Sequence, residues 1–256
     1  MSNLSVIVTI HDQSLLLEYE AQKKFELLSD CVTYMFVGKG DVDKVDKKSN
    51  VIIARDLHDN IEDYKFLIDF TSWYACVRNS IELREYVSLI QYDVNLSLDF
   101  QEKTLGLLKN SPESVLGYAP VEMKNRNFIR DTLGYPPLLK SCKAVYGIDI
   151  GQLFRVNIKY ADDKLWPATN NVAMHRDTLK DFVRWFTPIA MHIGNHKLVG
   201  HSFERAIKLF CILTGRQNIY DPNLLKHFQL NSHGTQNFTK DAGYFRNILA
   251  QNLRVK

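Results

Sequence analysis

The chain has 256 residues, of which 45% are hydrophobic and 24% are charged, and it carries a formal net charge of +3. This balance is that of an ordinary globular protein, which excludes a chain that is mainly disordered, collagen-like or coiled coil. The net charge is also too small to indicate nucleic-acid binding, which usually requires a clustered basic face.

The front part of the chain predicts an alternation of strands and helices. β-Branched and apolar runs predict strands over Leu4–Ile10, 32–37 and 50–54. A helix between the first two strands is predicted by apolar residues at helical spacing, namely Leu17, Ala21, Phe25 and Leu28. This order of elements indicates an α/β fold with a largely parallel sheet.

A long apolar helix and three further strands are predicted next. The helix carries a stripe made of Phe66, Phe70, Trp73 and Val77. Other apolar residues widen that stripe, so we expect the helix to be packed between other elements. Apolar runs over 86–90, 114–119 and 143–150 predict the fourth, fifth and sixth strands.

The last third of the chain predicts two striped helices. The first is marked by Leu179, Phe182, Val183 and Phe186. We expect Thr178 and Asp181 to form its capping pair and Pro188 to end or kink it. The second is marked by Phe203, Ile207, Phe210 and Thr214, and Gly215 ends it. No linker separates these parts, so we expect a single domain over residues 1–256.

The cysteines and the apolar segments bear on the compartment. The four cysteines, Cys31, Cys76, Cys142 and Cys211, form no CxxC pair. This spacing argues against structural zinc and a disulfide framework, and it favours reduced, buried thiols in the cytosol. No stretch reaches the roughly 20 apolar residues that span a bilayer, and the N-terminus lacks the basic region of a signal peptide. We therefore expect a cytoplasmic protein without a transmembrane segment.

The first candidate for chemistry is Tyr92-Asp93-Val94-Asn95, at the end of the predicted fourth strand. Ligands of open α/β sheets bind outside the carboxyl ends of the strands. A carboxylate there, with a second oxygen donor two residues on, can hold Mg²⁺ or Mn²⁺ against a diphosphate. The alternative is ordinary turn chemistry, in which an aspartate follows a strand without binding anything.

The second candidate is Glu204, within the segment 200–205 at the start of the last predicted helix. As a partly buried carboxylate near a hydroxyl, oriented by Arg205 or His201, it could act as a general base. The alternative is a glutamate in the first helical turn, stabilised there by the helix dipole.

Histidines supply a third set of candidates. His227 and His233 could return to a metal or to phosphates from the C-terminal tail, or each could be an ordinary surface or packed histidine. His192 and His196 have HxxxH spacing but lack the glutamate of a zinc protease motif. The sequence also has no P-loop after a strand, no GxGxxG and no GxSxG.

Taken together, the segments resemble those of a GT-A nucleotide-sugar glycosyltransferase, of the small type that serves surface-glycan synthesis in bacteria and large DNA viruses. SVIVTIH and VTYMFVGKG resemble the first two, uridine-binding strands, and the segment 60–75 resembles the helix before the metal motif. QYDVN is similar to the family's DxD motif, with Asn95 in place of the second acid. LWPATNN resembles the acceptor-side loop, and GHSFER resembles the late acidic motif that supplies the base in inverting members.

The resemblance implies a GT-A (Rossmann-like) fold, in which a mixed, mainly parallel sheet is flanked by helices. Residues 1–110 would then bind the nucleotide, and residues 111–256 would bind the acceptor. The implied reaction moves a sugar from a nucleotide-diphosphate donor, with a UDP-sugar favoured, to a hydroxyl of a glycan or glycoconjugate. Mn²⁺ or Mg²⁺ would assist, and Glu204 would be the catalytic base of an inverting enzyme.

The resemblance and the positions at strand ends also give a set of expected site residues. The nucleotide is expected to contact Thr9, His11, Asp12, Lys39, Asp41, Lys65, Asp69 and Tyr92. The metal is expected at Asp93 and Asn95 with support from His233 or His227, and the acceptor at Trp166, Asn170, Asn171, His201 and Arg205.

Two other functions remain open at the level of sequence. A nucleotide- or glycan-binding protein without catalytic activity could have the same fold and the same binding residues. A nucleotidylyltransferase is a third possibility, but TIHDQS after the first strand lacks the glycine-rich, basic loop that such enzymes usually carry. The sequence does not distinguish inversion from retention.

Overall fold

The computed structural model describes residues 3–11, 25–28, 30–38, 45, 48–122, 134–150, 165–167, 169–196 and 198–227. Within them, seven strands form one central sheet. In chain order these are β1 (Leu4–Ile10), β2 (Val32–Phe36), β3 (Val51–Ile53), β4 (Tyr86–Gln91), β6 (Val115–Gly117), β9 (Val172–His175) and β10 (Asn218–Tyr220). Two short pairs stand outside it: β5 (Val94–Leu96) with β11 (Leu225–His227), and β7 (Pro120–Glu122) with β8 (Leu165–Pro167).

The sheet has the order β10-β6-β9-β4-β1-β2-β3. β1 pairs in parallel with β2 and β4, whereas β9 is antiparallel to both β4 and β6. We call the carboxyl edge the side of the sheet where Ile10, Phe36, Gln91 and Gly117 end their strands and Val172 begins β9. Polar residues that follow the parallel strands, or precede β9, must therefore meet at this edge.

The strands are central because their sequences are apolar on both faces. All seven residues of β1 are buried, as expected for a β-branched run covered on both sides. Because side chains alternate along a strand, Ile7 faces one hydrophobic cluster while Val6 and Val8 face another.

Five helices are described around the sheet: α1 (Ile68–Arg78), α2 (Phe100–Asn110), α3 (Tyr135–Tyr146), α4 (Arg176–Ile193) and α5 (Val199–Thr214). α1, α3, α4 and α5 contribute to the cluster on the Ile7 face, and α2 contributes to the other. Interlocked aromatic rings join α1 to α4 and α5: Trp73 lies 4.7 Å from Phe203 and Phe70 lies 4.9 Å from Phe186, between ring centroids. This packing fixes the two helices that carry Asp69 and Glu204.

Residues 143–150 do not form the predicted sixth strand. Residues up to Tyr146 belong to α3, which begins with prolines in its first turn and ends at Gly147 in a left-handed conformation (φ 69°). Proline is well suited to a first helical turn, and glycine ends helices because it adopts positive φ without strain. Those two signals outweigh the short apolar run.

The start and interior of α4 also differ from the prediction. The N-cap is His175, whose Nδ1 accepts a hydrogen bond from the backbone N–H of Asp177 at 3.2 Å, so Thr178 and Asp181 are not the capping pair. The helix also continues through Pro188 to Ile193. Ile189 and Ala190, directly after the proline, are buried, and this packing compensates for the backbone hydrogen bond that proline cannot donate.

Apart from the predicted helix between β1 and β2, the other predicted elements are present, with shifts of a few residues at their ends. Of the predicted helix between β1 and β2, Glu26–Leu28 forms a 3-10 turn, and residues 12–24 lie outside the described residues. The four cysteines are free and buried, as expected, and burial raises the pKa of the Cys76 and Cys142 thiols to about 12. In the described part of the chain, no helix combines the length and the apolar character needed to cross a membrane.

Candidate active site

His11 and Tyr92 meet at the carboxyl edge because they follow the adjacent parallel strands β1 and β4. Tyr92 Oη and His11 Nε2 are 3.3 Å apart, and the ring centroids are 4.9 Å apart. Thr9 is buried within β1 and stands directly opposite Gln91 of β4 in the backbone register. The structure thus brings these predicted nucleotide-binding residues together, whereas Asp12, Lys39 and Asp41 lie outside the described residues.

Glu62 lies beside the end of β2. Its Oε2 accepts a hydrogen bond from the backbone N–H of Gly38 at 2.7 Å, and Gly38 has a left-handed backbone (φ 93°) that turns the chain at the edge. Burial, the largest influence, raises the pKa of Glu62. Glu62 is not among the predicted site residues, since a glutamate in a polar loop carries no signal of a contact 24 residues away.

Asp69, near the start of α1, connects two parts of the carboxyl edge. Its Oδ2 accepts hydrogen bonds from Gln91 Nε2 and from Asn170 Nδ2, each at 2.8 Å. Burial first, and then the negative charges of Glu204 and Asp93, raise the pKa of Asp69 to about 6 against the lowering effect of the two amides. Asp93 and Glu204 therefore face the same region as Asp69.

Lys65, an expected nucleotide-binding residue, lies outside α1. α1 begins at Ile68, so Lys65 precedes the helix and is exposed. The partners of Asp69 come instead from β4 and from the loop before β9.

The loop before β9 has an unusual backbone. Thr169 and Asn170 both have positive φ, at 63° and 57°. Asn171, which is fully buried, accepts a hydrogen bond from the Gln91 backbone N–H at 2.7 Å and donates to Thr169 Oγ1 at 2.7 Å. These bonds tie the loop to the end of β4 and hold Asn170 against Asp69.

Glu204 belongs to a charged group on α5. Burial would raise the pKa of Glu204, but Arg205 and the neighbouring His201 outweigh it, so the pKa lies below its ordinary value. Glu204 forms an ion pair with Arg205, and His201 Nδ1 lies 3.9 Å from Glu204 Oε2. The group is therefore a carboxylate at neutral pH.

Glu204 is not in the first turn of its helix. α5 begins at Val199, and its first turn contains no acidic residue. Stabilisation by the helix dipole falls off within the first turn, so it does not explain why a glutamate stands here.

Arg205 also contacts the short strand β8. Its guanidinium carbon lies 4.2 Å from the ring centroid of Trp166, and both side chains are buried. This cation–π contact positions the charge beside Glu204.

Asp93 and Asn95 flank Val94 where β4 leads into β5. Asp93 is partly exposed and Asn95 is exposed. β5 pairs with β11 so that His227 stands opposite Val94 in the backbone register. The side chain of His227 and the whole of His233 lie outside the described residues. Among the side chains that the structure describes, no group of three or more His, Cys, Asp or Glu is arranged to hold a metal.

Several predicted site residues thus lie together at one edge, and Gln91 and Thr169 join them without having been predicted. Asp69 contacts Asn170, and the charges of Asp93 and Glu204 act on Asp69. Gln91 could have been found, because it is a polar residue at the end of a buried strand, directly before the Asp93 motif.

Comparison with solved structures identifies the fold. The structure is similar to the apo structure of the bifunctional glycosyltransferase WbbM, with a TM-score of 0.57 and 15% sequence identity. The similarity covers 90% of this chain and 46% of WbbM, so the chain spans just under half the length of that protein. This chain has a GT-A-like glycosyltransferase fold. The predicted fold class, a mixed and mainly parallel sheet flanked by helices, is confirmed.

A second similar structure is the mannosyltransferase Ktr4p from S. cerevisiae in complex with GDP. Its TM-score is 0.41 at 10% identity, over 88% of this chain and 71% of Ktr4p. No protein-family model matches the chain, and no curated protein matches it significantly.

Proposed function

We propose that the protein is a glycosyltransferase that moves a sugar from a nucleotide-diphosphate donor to a hydroxyl of a glycan acceptor. The observation that carries this proposal is the position of Asp69 at the carboxyl edge of a GT-A-like sheet, where it contacts Gln91 and Asn170 and where the charges of Asp93 and Glu204 act on it. Open α/β sheets bind ligands at this edge, and acidic groups there serve both cation binding and base catalysis.

Glu204 is the catalytic base in this proposal. It is ionised, Arg205 pairs with its Oε2, and His201 lies nearby. The acceptor oxygen forms a bond to the anomeric carbon while its proton passes to Glu204. The bond from that carbon to the diphosphate breaks, and its electron pair leaves with the diphosphate. Attack from the face opposite the leaving group inverts the anomeric centre. Asp69 is less suited to this role because its Oδ2 already accepts two amide hydrogen bonds.

The nucleotide lies over the ends of β1 and β2, beside the point where Thr9 and His11 meet Tyr92, which follows β4. The ring contact between His11 and Tyr92 offers an aromatic surface next to the buried strand end. Asp12, Lys39 and Asp41 follow the same two strands in the sequence and complete this part of the site. We keep a UDP-sugar as the favoured donor, because the first two strands resemble a uridine site.

The donor groups near β5 fit a hard divalent cation. Mg²⁺ and Mn²⁺ prefer oxygen ligands, and Asp93 and Asn95 supply a carboxylate and an amide oxygen, next to the acidic Asp69. We propose that Asp93 and Asn95 hold the cation, and that His227 or His233 supports it. When bound, such a cation neutralises the charge of the leaving diphosphate.

The acceptor lies on the α5 side, near Trp166, His201 and Arg205. His201 is partly exposed, at 41% of its side chain, and can reach a ligand beside Glu204. Asn170 faces the site from the loop before β9. Asn171, by contrast, uses its amide within the protein, so we assign it to holding this loop and not to direct contact.

The test is a screen of UDP-, GDP- and CDP-sugars for hydrolysis and transfer with Mn²⁺, followed by the variant Glu204→Gln. A positioned base typically contributes about 10²- to 10⁴-fold in rate. We therefore expect Glu204→Gln to lose at least about 100-fold in transfer while its donor affinity stays near normal.

Asp181→Asn is the matched control for this variant. Asp181 is also a helical carboxylate paired with an arginine, Arg216 at 3.0 Å, but it lies on α4 outside the site. We expect full turnover from it. Full transfer by Glu204→Gln would remove Glu204 from the mechanism, and nucleotide binding without turnover of any donor would favour the inactive binding protein instead.

A further inference from the structure

Asn170 carries a hydrogen-bond acceptor that pairs with no group in the described part of the chain. The residue is 6% exposed, and its Oδ1 is buried without a partner among the described residues. Its orientation is fixed, because Nδ2 donates to the Asp69 carboxylate at 2.8 Å and turning the amide over would bring oxygen against oxygen. A buried acceptor left in this state costs stability, so a donor that pairs with it is favoured.

The backbone at Asn170 is held in a sparsely populated conformation. Thr169 and Asn170 are consecutive left-handed residues that are not glycine, and Asn171 fastens them to Gln91. Strain of this kind clusters at ligand-binding sites, where the surrounding structure maintains it. Oδ1 has almost no contact with solvent, so pairing with a ligand requires this strained loop to shift.

The surroundings restrict the chemistry of that ligand group. Oδ1 accepts only, and Asn170 stands beside the Asp69 carboxylate, on which the charges of Asp93 and Glu204 also act, so the group must be a cation or a donor without negative charge. The proposed function places the cation at Asp93 and Asn95, which leaves a neutral donor. A phosphate does not qualify, since it is an anionic acceptor.

The position in the sheet points away from the nucleoside. Asn170 precedes β9, which is separated from β1 by β4. Neighbouring strands lie about 4.8 Å apart, so β9 is roughly 10 Å from β1, over whose end the nucleoside lies in the proposed function. With phosphate and nucleoside excluded, the remaining candidate for the neutral donor is a hydroxyl group of a sugar.

We propose that Asn170 Oδ1 accepts a hydrogen bond from a sugar hydroxyl, held in place by Asp69, and that this contact determines which sugar the site takes. The proposal rests on the proposed function, and it adds a specificity-determining residue to it. A site built to bind a hydroxyl rejects the deoxy analogue, because the buried polar group is then left unpaired.

The experiment compares the wild type with Asn170→Gly. Glycine keeps the left-handed backbone without strain and removes only the amide side chain. The probes are monodeoxy analogues of the nucleotide-sugar that the wild type hydrolyses fastest, and, separately, monodeoxy methyl glycosides of the acceptor. We expect the wild type to discriminate at least about 10-fold in kcat/KM against one of these analogues, and Asn170→Gly to lose that discrimination. The set that shows the effect tells whether the hydroxyl belongs to the transferred sugar or to the acceptor.

Two further measurements keep the outcome unambiguous. The affinity for the nucleoside diphosphate should not change in Asn170→Gly, which also shows that the variant is folded. Asn170→Asp replaces the Nδ2 donor with an oxygen that faces the Asp69 carboxylate, so it should lose the orientation of Oδ1 and with it the discrimination; if Asn170→Gly does not fold, discrimination retained by Asn170→Asp counts against the proposal. Equal discrimination by the wild type and Asn170→Gly would overturn it.

Failure of the proposed function would look different. In that case the wild type would turn over no nucleotide-sugar, and the hydroxyl contact is tested by thermal unfolding with free monosaccharides and methyl glycosides. Stabilisation of the wild type but not of Asn170→Gly by one of these sugars would support the contact, and no difference with any of them would refute it.

Discussion

Among single side chains, Asp69 has the electrostatic environment that departs most clearly from that of a surface carboxyl group. Burial and the neighbouring charges of Glu204 and Asp93 raise its pKa from 3.8 to about 6. The folded protein therefore binds more protons than the unfolded chain between about pH 4 and pH 6. Stability contributed by the protonated group is present below pH 4 and is lost as the pH rises through 6.

We predict that Asp69→Asn removes the loss of stability that the wild type shows as the pH rises through 6. Asparagine keeps an oxygen for the amides of Gln91 and Asn170 but carries no charge, so the variant should be no less stable than the wild type at pH 7.5. The shift corresponds to at most about 2–3 kcal/mol, and solvent screening reduces that figure because Asp69 is partly exposed. Urea unfolding at pH 4.5 and 7.5 measures the difference.

Asp59→Asn is the control, and its expected sign is opposite. The hydrogen bond from Tyr74, and then the one from Arg78, lower the pKa of Asp59. Its contribution to stability is present at neutral pH and lost in acid, so this variant should lose stability at pH 7.5 and lose less at low pH. If the stability of Asp69→Asn depended more steeply on pH than that of the wild type, this would contradict the raised pKa of Asp69.

At the scale of elements, the position of α5 depends on a contact with the start of α3. Gly134 has a left-handed backbone (φ 93°), and its carbonyl accepts a hydrogen bond from Ser202 Oγ at 2.8 Å. A Cβ at this position would lie 2.5 Å from the carbonyl carbon of His201 and 2.6 Å from the Ser202 nitrogen. Both are backbone atoms of α5, so the helix that carries Glu204 cannot give way without moving as a whole.

We predict that Gly134→Ala destabilises the fold by about 2–5 kcal/mol, the sum of left-handed strain and overpacking. Gly147→Ala is the matched control, because Gly147 is also left-handed (φ 69°) but a Cβ there would meet nothing within 4 Å. It should cost only about 1–2 kcal/mol. Urea unfolding of both variants measures the two costs, and equal costs would show that the close approach to α5 is not restrictive.

The elements that the sequence predicted correctly are those whose signals are local. β1 and β4 are continuous apolar runs, and α1, α4 and α5 carry apolar stripes at helical spacing. The prediction failed for residues 143–150 because an apolar run of that length fits a strand or a helix, and the prolines and glycine around it decided the outcome. Pro188 does not end α4, because tertiary packing, which the sequence pattern does not contain, keeps the helix continuous.

For the molecule as a whole, the order of elements was enough to predict an α/β fold, and the resemblance to GT-A enzymes supplied the architecture. The arrangement of the site was less accessible. The hydrogen bonds of Asp69 reach residues 22 and 101 positions away in the chain, and no sequence spacing encodes such contacts. The antiparallel insertion of β9 brings Asn170 and Asn171 to the carboxyl edge, and its place between β4 and β6 could not be foreseen from local patterns.

Binding of a nucleotide should stabilise the folded protein against thermal unfolding. A ligand that binds only the folded state stabilises it by about 2.7 kcal/mol at 100 times its dissociation constant. For a protein of this size, each kcal/mol raises the unfolding temperature by roughly 2–4 °C. We therefore expect UDP, GDP or CDP with Mn²⁺ to raise the midpoint by about 5–10 °C, and the same nucleotide without Mn²⁺ to raise it less.

Asp93→Ala should lose the Mn²⁺-dependent part of this rise, while its midpoint without ligand stays near that of the wild type, because Asp93 is partly exposed. Asn95→Ala should lose less, since a neutral amide attracts a cation more weakly than a carboxylate does. If Mn²⁺ raises the unfolding midpoint of Asp93→Ala as much as that of the wild type, the cation is held elsewhere. If none of the three nucleotides raises the midpoint of the wild type, that result counts against a nucleotide-sugar donor.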